Sequence, residues 1–330
     1  MSSLNKTALA NPGYFNFANS QKRSPRVPGR LWRQGILEPL DHVLAADGKR
    51  LRADLVEITF RAAGGLGSVP LEVIDFVELM HAGSLVIDDI EDRSTERRGQ
   101  PTLHTLVGTP LAINTGNWMY FSALEKLLDL PVRQKHLLGT YSETLATIRR
   151  AHEGQALDLA ADVTEMNRDE IYPTIRAISK LKTGGIVALA SKLGAALADA
   201  DERSQKAFHA FGMQLGTSLQ MQNDIAELKD ATKLNGRSDD LRNHRITWPW
   251  AWLSQRVTEK EFNEVRRLLQ GCSSDEFHLV ARELLASVSQ VFSQYVSGEI
   301  DSAIANIRGS VKSHSEELIE LTERLKQYHV

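Results

Sequence analysis

The chain has 330 residues, 42% of them hydrophobic and 25% charged, which is ample material for a packed core and excludes disorder over most of its length. Lys and Arg number 39 against 42 Asp and Glu, and the resulting net charge of −3 excludes nucleic-acid binding through bulk positive charge, so any anion site must be locally basic. Cys272 is the only cysteine, which excludes an intramolecular disulfide framework and a cysteine-rich zinc site and suits a reducing, cytoplasmic compartment.

Residues 1–30 are polar, contain Pro12, Pro25 and Pro28, lack an apolar secretory stretch and read as a loosely ordered arm. From Leu31 onward apolar residues recur at spacings of three and four, which predicts amphipathic or buried helices and no strand. Breakers punctuate the series at Gly64 to Pro70, Gly99 to Pro101, Pro110, Pro131, Asn167 with Pro173, and Asn235 to Asp240. The gaps are too short to hide the strands of a Rossmann or barrel fold, so the expected fold class is all-α, one domain over 31–330 with roughly ten or more helices. Even the most apolar stretch, Gly184 to Ala200, is broken by Lys192, so no membrane span is expected.

Gly48, Lys49, Arg50, Leu51 and Arg52 form the first basic cluster, with Lys49 and Arg52 three apart and therefore on one helical face. The segment from Leu71 to Ile90 predicts one long apolar helix, yet it ends in Asp88, Asp89, Glu91 and Asp92. Asp88 and Asp92, four apart, project side by side and repel each other at a helix end that already disfavours negative charge. A divalent cation relieves that repulsion, and magnesium fits best because it accepts a couple of carboxylates and fills its shell with water and phosphate oxygens. The alternative is a solvated acidic helix end. Arg93, Arg97, Arg98 and Gly99 follow at once, a basic turn suited to the phosphate that such a metal attracts. His81 lies two turns before Asp88 on the same face, where a satisfied core histidine is the plainer reading.

Lys182 and Thr183 are predicted to open an apolar helix whose first N–H groups favour anions. Further on, Gln220 precedes a second polar cluster, Asn223, Asp224 and Glu227, whose spacing lets the oxygens converge on a second metal-binding wall. Arg237 and Arg245 complete the basic inventory, and each of these cations alone reads as a solvated charge.

In shared order, the segments Gly48-Lys49-x-x-Arg52, His81-x-x-Ser84 through Asp88-Asp89-x-x-Asp92, Arg97-Arg98-Gly99, Gly154-Gln155-x-x-Asp158, Lys182-Thr183, Gln220-x-x-Asn223-Asp224-x-x-Glu227 and Thr247-x-Pro249 resemble the trans-type isoprenyl diphosphate synthases, or polyprenyl synthetases. The resemblance implies an all-α bundle around a central apolar cavity, a homodimer, and two acidic motifs facing each other at the cavity mouth. It implies head-to-tail condensation of an allylic diphosphate with isopentenyl diphosphate, with three magnesium ions. Asp88 and Asp92 would bind metal with Asp89 in support, and Asn223, Asp224 and Glu227 would supply the second wall. Arg97, Lys182, Gln220 and Arg237 would hold the allylic diphosphate, with Thr183 beside the reacting carbon. Lys49, Arg52, His81 and Arg98 would hold the isopentenyl diphosphate.

The second motif departs from the family's usual DDxxD, since Asn223 carries no charge. An Asn-led motif also occurs in class I terpene cyclases, and a degenerate motif suits a non-catalytic regulatory subunit. The retained second diphosphate site argues for condensation over cyclisation, and the intact first motif argues against a merely regulatory chain. In this family residues before the first aspartate can form the floor that sets product length. Gly83 and Ser84 are small, whereas Met80 and Tyr120 lie deeper and are bulky, which implies a linear product of fifteen to twenty carbons.

Overall fold

The computed structural model describes residues 27–46, 50–129, 134–233 and 238–327. Residues 1–26 of the expected arm, together with Lys49 and Arg237, lie outside the described residues. Helices follow in chain order as α1 (Gly29–Trp32), a π-helical stretch (Arg33–Leu37), α2 (Glu38–Ala45), α3 (Leu51–Ala62) and α4 (Leu71–Glu91). A two-stranded antiparallel ladder, β1 (Glu96–Arg97) with β2 (Gln100–Pro101), precedes α5 (Leu103–Val107), α6 (Thr109–Lys126), α7 (Gln134–Ala160) and α8 (Arg168–Ile178). After a second π-helical stretch (Ser179–Gly184) come α9 (Gly185–Leu197), α10 (Glu202–Ala231), α11 (Asp239–Arg242) and α12 (Trp248–Arg256). The described chain closes with α13 (Glu259–Gly271), α14 (Phe277–Val288), α15 (Phe292–Ile307) and α16 (Ser315–Gln327).

Local chemistry explains the helix boundaries. The Asp201 side chain accepts the Ser204 N–H at the start of α10, and capping boxes pair Asn167 with Glu170 at α8 and Thr258 with Glu261 at α13. Three expectations are corrected. Pro173, read as a breaker, lies inside α8, where its missing N–H falls on the exposed side of an early turn and the loss is tolerable. Lys182 and Thr183 do not open a helix, because the π stretch runs on from α8 into α9 without a break. The basic turn after α4 contains a short strand pair, two residues a side, too brief to leave a periodic signal.

The chain divides into two compact units. The first comprises Met1–Leu51 and Pro70–Pro131. In it α4 packs on α6, and Val86, Leu103 and Ala112 form a buried cluster joined by Val43, Ile90 and Val107. The second comprises Arg52–Val69 and Val132–Val330. There α10 is packed by α9 and α15, and three tryptophans of α12, Trp248, Trp250 and Trp252, are wholly buried. The C-terminal segment of this unit closes over the end of α3: Lys312 N–H donates to the Ala62 carbonyl at 2.8 Å, Ser313 Oγ donates to the Arg61 carbonyl at 2.6 Å, and the Arg61 guanidinium pairs with Glu317.

The connection from α7 to α8 contains a pH-sensitive turn. Asp162 Oδ1 accepts from the Thr164 N–H at 2.7 Å and from the Thr164 hydroxyl at 2.6 Å, and its other oxygen lies 3.4 Å from His244 Nδ1. Burial pushes this carboxyl upward, but the Thr164 side chain and N–H, with His244, outweigh it and hold the group below the usual carboxylate range. A depressed carboxyl stabilises the fold above its unfolded pKa of roughly 4 and withdraws that support as pH falls through its folded value. Asp162→Asn is therefore expected to lower the urea midpoint relative to the parent at neutral pH, with the gap closing in acid. A gap of equal size at pH 7 and at about pH 3 would show that the charge contributes nothing.

Candidate active site

In the first unit, α4 ends in a Schellman-type closure. Arg93 N–H donates to the Ile90 carbonyl at 3.2 Å and Ser94 N–H to the Asp89 carbonyl at 2.9 Å, with Arg93 in the left-handed region at φ 56°. This geometry stops the helix directly after its carboxylates. Asp88 and Asp92 are half-buried, one turn apart on one face. Asp89 points elsewhere and is buried, and its Oδ1 accepts both Nε and Nη2 of Arg97 at 2.7 Å. Burial raises the Asp89 carboxyl above its ordinary range even though Arg97 pulls it down.

Arg97 is placed by β1, and the two residues joining β1 to β2, Arg98 and Gly99, both have positive φ, 53° and 76°. Positive φ at both positions is the signature of the tight hairpin turn whose twist matches antiparallel strands. Glycine meets it freely, whereas arginine at such a position is strained, and strain of this kind gathers at functional sites. Arg98 is exposed and His81 is half-buried.

In the second unit, the π stretch carries Lys182 and Thr183. Gly154 of α7 permits its close approach: a Cβ there would lie 2.7 Å from the Lys182 backbone nitrogen. One turn further along α7, Asp158 accepts from Lys182 Nζ at 2.9 Å. On the other side Thr183 Oγ1 donates to Gln220 Oε1 at 2.6 Å, and Gln220 Nε2 donates to Asp224 Oδ1 at 2.8 Å. Asp224 Oδ2 accepts the Trp248 N–H at 2.9 Å, one of the N–H groups that the start of α12 leaves without an intrahelical partner. Burial, reinforced by the Asp158 and Glu227 carboxylates, pushes the Asp224 carboxyl up to about 7 against the pull of these two hydrogen bonds.

The remaining members of the second motif are placed differently. Asn223 is exposed, whereas Glu227 is half-buried and its Oε1 accepts from Ser238 Oγ at 3.0 Å and the Asp240 N–H at 2.9 Å. Arg52 is half-buried at the start of α3. Among the expected floor residues, Met80 is buried, and Ser84 and Tyr120 are half-buried. Gly83 is a packing position: a Cβ on it would lie 3.0 Å from the Gly116 carbonyl oxygen and 3.1 Å from Met119 Cβ, so bulk there presses on α6.

Sequence reasoning passed over three residues that hold the site together. Asp158 was visible one helical turn after Gly154 in the Gly154-Gln155-x-x-Asp158 segment. Ser179 and Trp248 carried no signal, since a serine and one tryptophan among Trp248, Trp250 and Trp252 read as ordinary core.

The donor chemistry fits a hard cation. Asp88 and Asp92 are half-buried carboxylates one turn apart, and magnesium needs no more than one or two from a protein. Among the described residues no group of three or more His, Cys, Asp and Glu side chains is placed to hold a metal by itself.

Compared with known families, residues 33–286 match the polyprenyl synthetase profile, a span that covers most of the chain. The chain belongs to the polyprenyl synthetase family. Among polyprenyl synthetase relatives, a short chain isoprenyl diphosphate synthase from Methanocaldococcus jannaschii is 30% identical over 213 residues, 62% of this chain and 62% of the relative. A geranylgeranyl pyrophosphate synthase from Macrophomina phaseolina is 34% identical over 225 residues, 67% of this chain and 65% of the relative. The chain thus spans less than two thirds of the length of either relative. The crystal structure of a geranylgeranyl pyrophosphate synthase from Corynebacterium glutamicum, in complex with isoprenyl diphosphate and magnesium, superposes with a TM-score of 0.78 at 21% identity, covering 98% of this chain and 97% of that one. This likeness establishes the all-α fold of the family for the present chain. Among the described residues no helix is long and apolar enough to cross a membrane.

Proposed function

We propose that this polyprenyl synthetase is a trans-prenyltransferase that joins an allylic diphosphate head-to-tail to isopentenyl diphosphate and releases a linear prenyl diphosphate of fifteen to twenty carbons. The observation that carries the reading is the end of α4, where Asp88 and Asp92 stand one turn apart beside an Arg97 already oriented by Asp89. The names of these two relatives favour neither cyclisation nor a non-catalytic subunit.

Asp88, Asp92, Asn223 and Glu227 would hold magnesium, three ions in all when diphosphate is bound. Asp224 has both oxygens engaged inside the protein and would act on Gln220 and the start of α12 instead of on metal. Magnesium, when bound, supplies positive charge to the diphosphate oxygens as the leaving group departs. Arg97, Lys182, Gln220 and Arg237 would hold the allylic diphosphate, and Lys49, Arg52, His81 and Arg98 the isopentenyl diphosphate. As the allylic C–O bond breaks, its electron pair leaves with the diphosphate, and the cations already placed there stabilise the developing charge without reorganising. The double bond of isopentenyl diphosphate then attacks the allylic cation, forming the new C–C bond, and loss of a proton to the released diphosphate restores an alkene. The Thr183 hydroxyl and the backbone carbonyls of the π stretch present oxygen dipoles suited to the allylic cation. Water must be kept out, because it would trap the cation as an alcohol.

Ser84, Met80 and Tyr120 would set product length. We also propose a cytoplasmic homodimer in which residues 31–330 act as one catalytic domain. Exposed apolar side chains on α6 (Ile113, Phe121) and α7 (Leu138, Leu145) support self-association. Incubating the purified protein with magnesium, isopentenyl diphosphate and allylic diphosphates of five, ten and fifteen carbons, then sizing the dephosphorylated alcohols, tests the reading. Linear alcohols of fifteen to twenty carbons are expected, whereas a cyclic hydrocarbon from one allylic substrate, or no turnover at all, would overturn it.

A further inference from the structure

Two fully buried residues to which no motif assigns a part connect the allylic-diphosphate elements into a closed ring. The Trp248 indole Nε1–H donates to Ser179 Oγ at 2.9 Å, and both residues are 0% exposed. The backbone N–H of the same tryptophan donates to Asp224 Oδ2 at 2.9 Å. From Asp224 the ring passes through Gln220 to Thr183, and from Thr183 along the π stretch back to Ser179. The Trp248 ring is itself held edge-on by Tyr172 at 5.8 Å and in a tilted contact by Trp252 at 5.9 Å, and Trp252 in turn stacks on Tyr295 at 5.4 Å. The donor therefore has little freedom to follow a displaced acceptor.

The ring bears on the π stretch that carries Lys182. Over Ser179–Gly184 the helix is wound wider than α, as the Gly185 N–H donating to the Lys180 carbonyl five residues back shows. Such a widened turn is an excess residue that the helix would expel if its ends were loose, and expulsion would rotate the residues beyond it by about 100°. Here neither end is loose. The upstream end is pinned at Ser179 to Trp248, the downstream end at Thr183 to Gln220, and both pins lead to α10 through Asp224 and Gln220.

We propose that Ser179 and Trp248 are positioning residues: their buried hydrogen bond keeps the π turn wound, and the π turn aims Lys182 at the allylic diphosphate. The proposal rests on the prenyltransferase reading in that it assigns Lys182 to that substrate. The ordinary alternative is a core hydrogen bond with no bearing on binding.

Ser179→Ala, Trp248→Phe and the double variant separate the two. Each single change strands a buried donor or acceptor, so a loss of stability in the singles decides nothing, and the double, in which both groups are gone, is decisive. The expected result is that the double variant stays folded by circular dichroism while KM for the allylic diphosphate rises about tenfold and KM for isopentenyl diphosphate stays within about twofold. In the same variant Lys182, loosened from Asp158, should be acetylated by acetic anhydride several times faster, read by mass spectrometry, a measurement that needs no turnover. Unchanged KM values with unchanged Lys182 labelling would overturn the proposal, as would an equal rise in both KM values. A parent protein that labels as expected but makes no prenyl product would bring down the prenyltransferase reading and leave the positioning role of the ring standing.

Discussion

Asp88→Ala is expected to lower the rate of prenyl transfer by about a thousandfold at saturating magnesium, the scale seen when a group that stabilises a departing anion is removed. The magnitude follows from the end of α4. Asp88 and Asp92 form one oxygen pair on one face, so losing either member leaves a lone carboxylate at a site built for two. Asp88→Asn keeps the size and one oxygen but removes the charge, so it should retain part of the rate and require more magnesium for half-maximal turnover. Helix content should survive both changes, because the last turn of a helix is where a carboxylate contributes least to helix stability. The measurement is initial rate against magnesium concentration for parent and variants. A rate within about tenfold of the parent for the alanine variant would remove Asp88 from the reaction centre.

The second large effect concerns stability. Gly194→Ala is expected to destabilise the protein by about 3 kcal/mol or more, among the larger losses a single added methyl group produces. α9 and α3 cross at this residue, and a Cβ on Gly194 would lie 2.1 Å from Thr59 Oγ1 and 2.4 Å from the Val56 carbonyl oxygen. The first obstacle is a side chain, itself tied to the Leu55 carbonyl at 2.7 Å, and the second is backbone. Removing the hydroxyl therefore does not help, and Gly194→Ala with Thr59→Ala should remain nearly as unstable as Gly194→Ala alone. Urea unfolding of the parent and the two variants checks this, and a loss below about 1 kcal/mol for Gly194→Ala would show that the two helices part without strain.

How far the sequence disclosed these features depended on whether they lay within one periodic segment. The apolar run from Leu71 announced α4 and its terminal carboxylates correctly, because spacing along a helix is a local property. The basic turn after it was legible in composition but not in form. Only the backbone shows that Arg98 and Gly99 form a tight hairpin, since two-residue strands leave no periodicity to read. Lys182 is legible in the sequence but its setting is not: a π turn has the same residue types as an α turn, and tertiary contacts at Gly154 and Ser179 decide between them. Asp224 shows the same limit. Its place in the Asn223-Asp224-x-x-Glu227 string marked it as a metal ligand, whereas its environment, set by Trp248 twenty-odd positions later, turns both oxygens inward. Gly83 is visibly small in the sequence, and only the packed helices show that a side chain there would press on α6.

The wide turn at Ser179–Gly184 has one consequence for tolerated variation. Within a loop, a gained or lost amino acid is absorbed by slack, and within a regular helix it shifts one face. This short segment already holds one residue more than an ordinary turn needs, so losing one lets the coil revert to ordinary pitch with α9 keeping its phase, whereas gaining one would swing the whole of α9 about its axis and carry apolar residues out of the interior. Length here is constrained in one direction, and among natural variants of this chain a one-residue gap within these six positions should be commoner than a one-residue insertion.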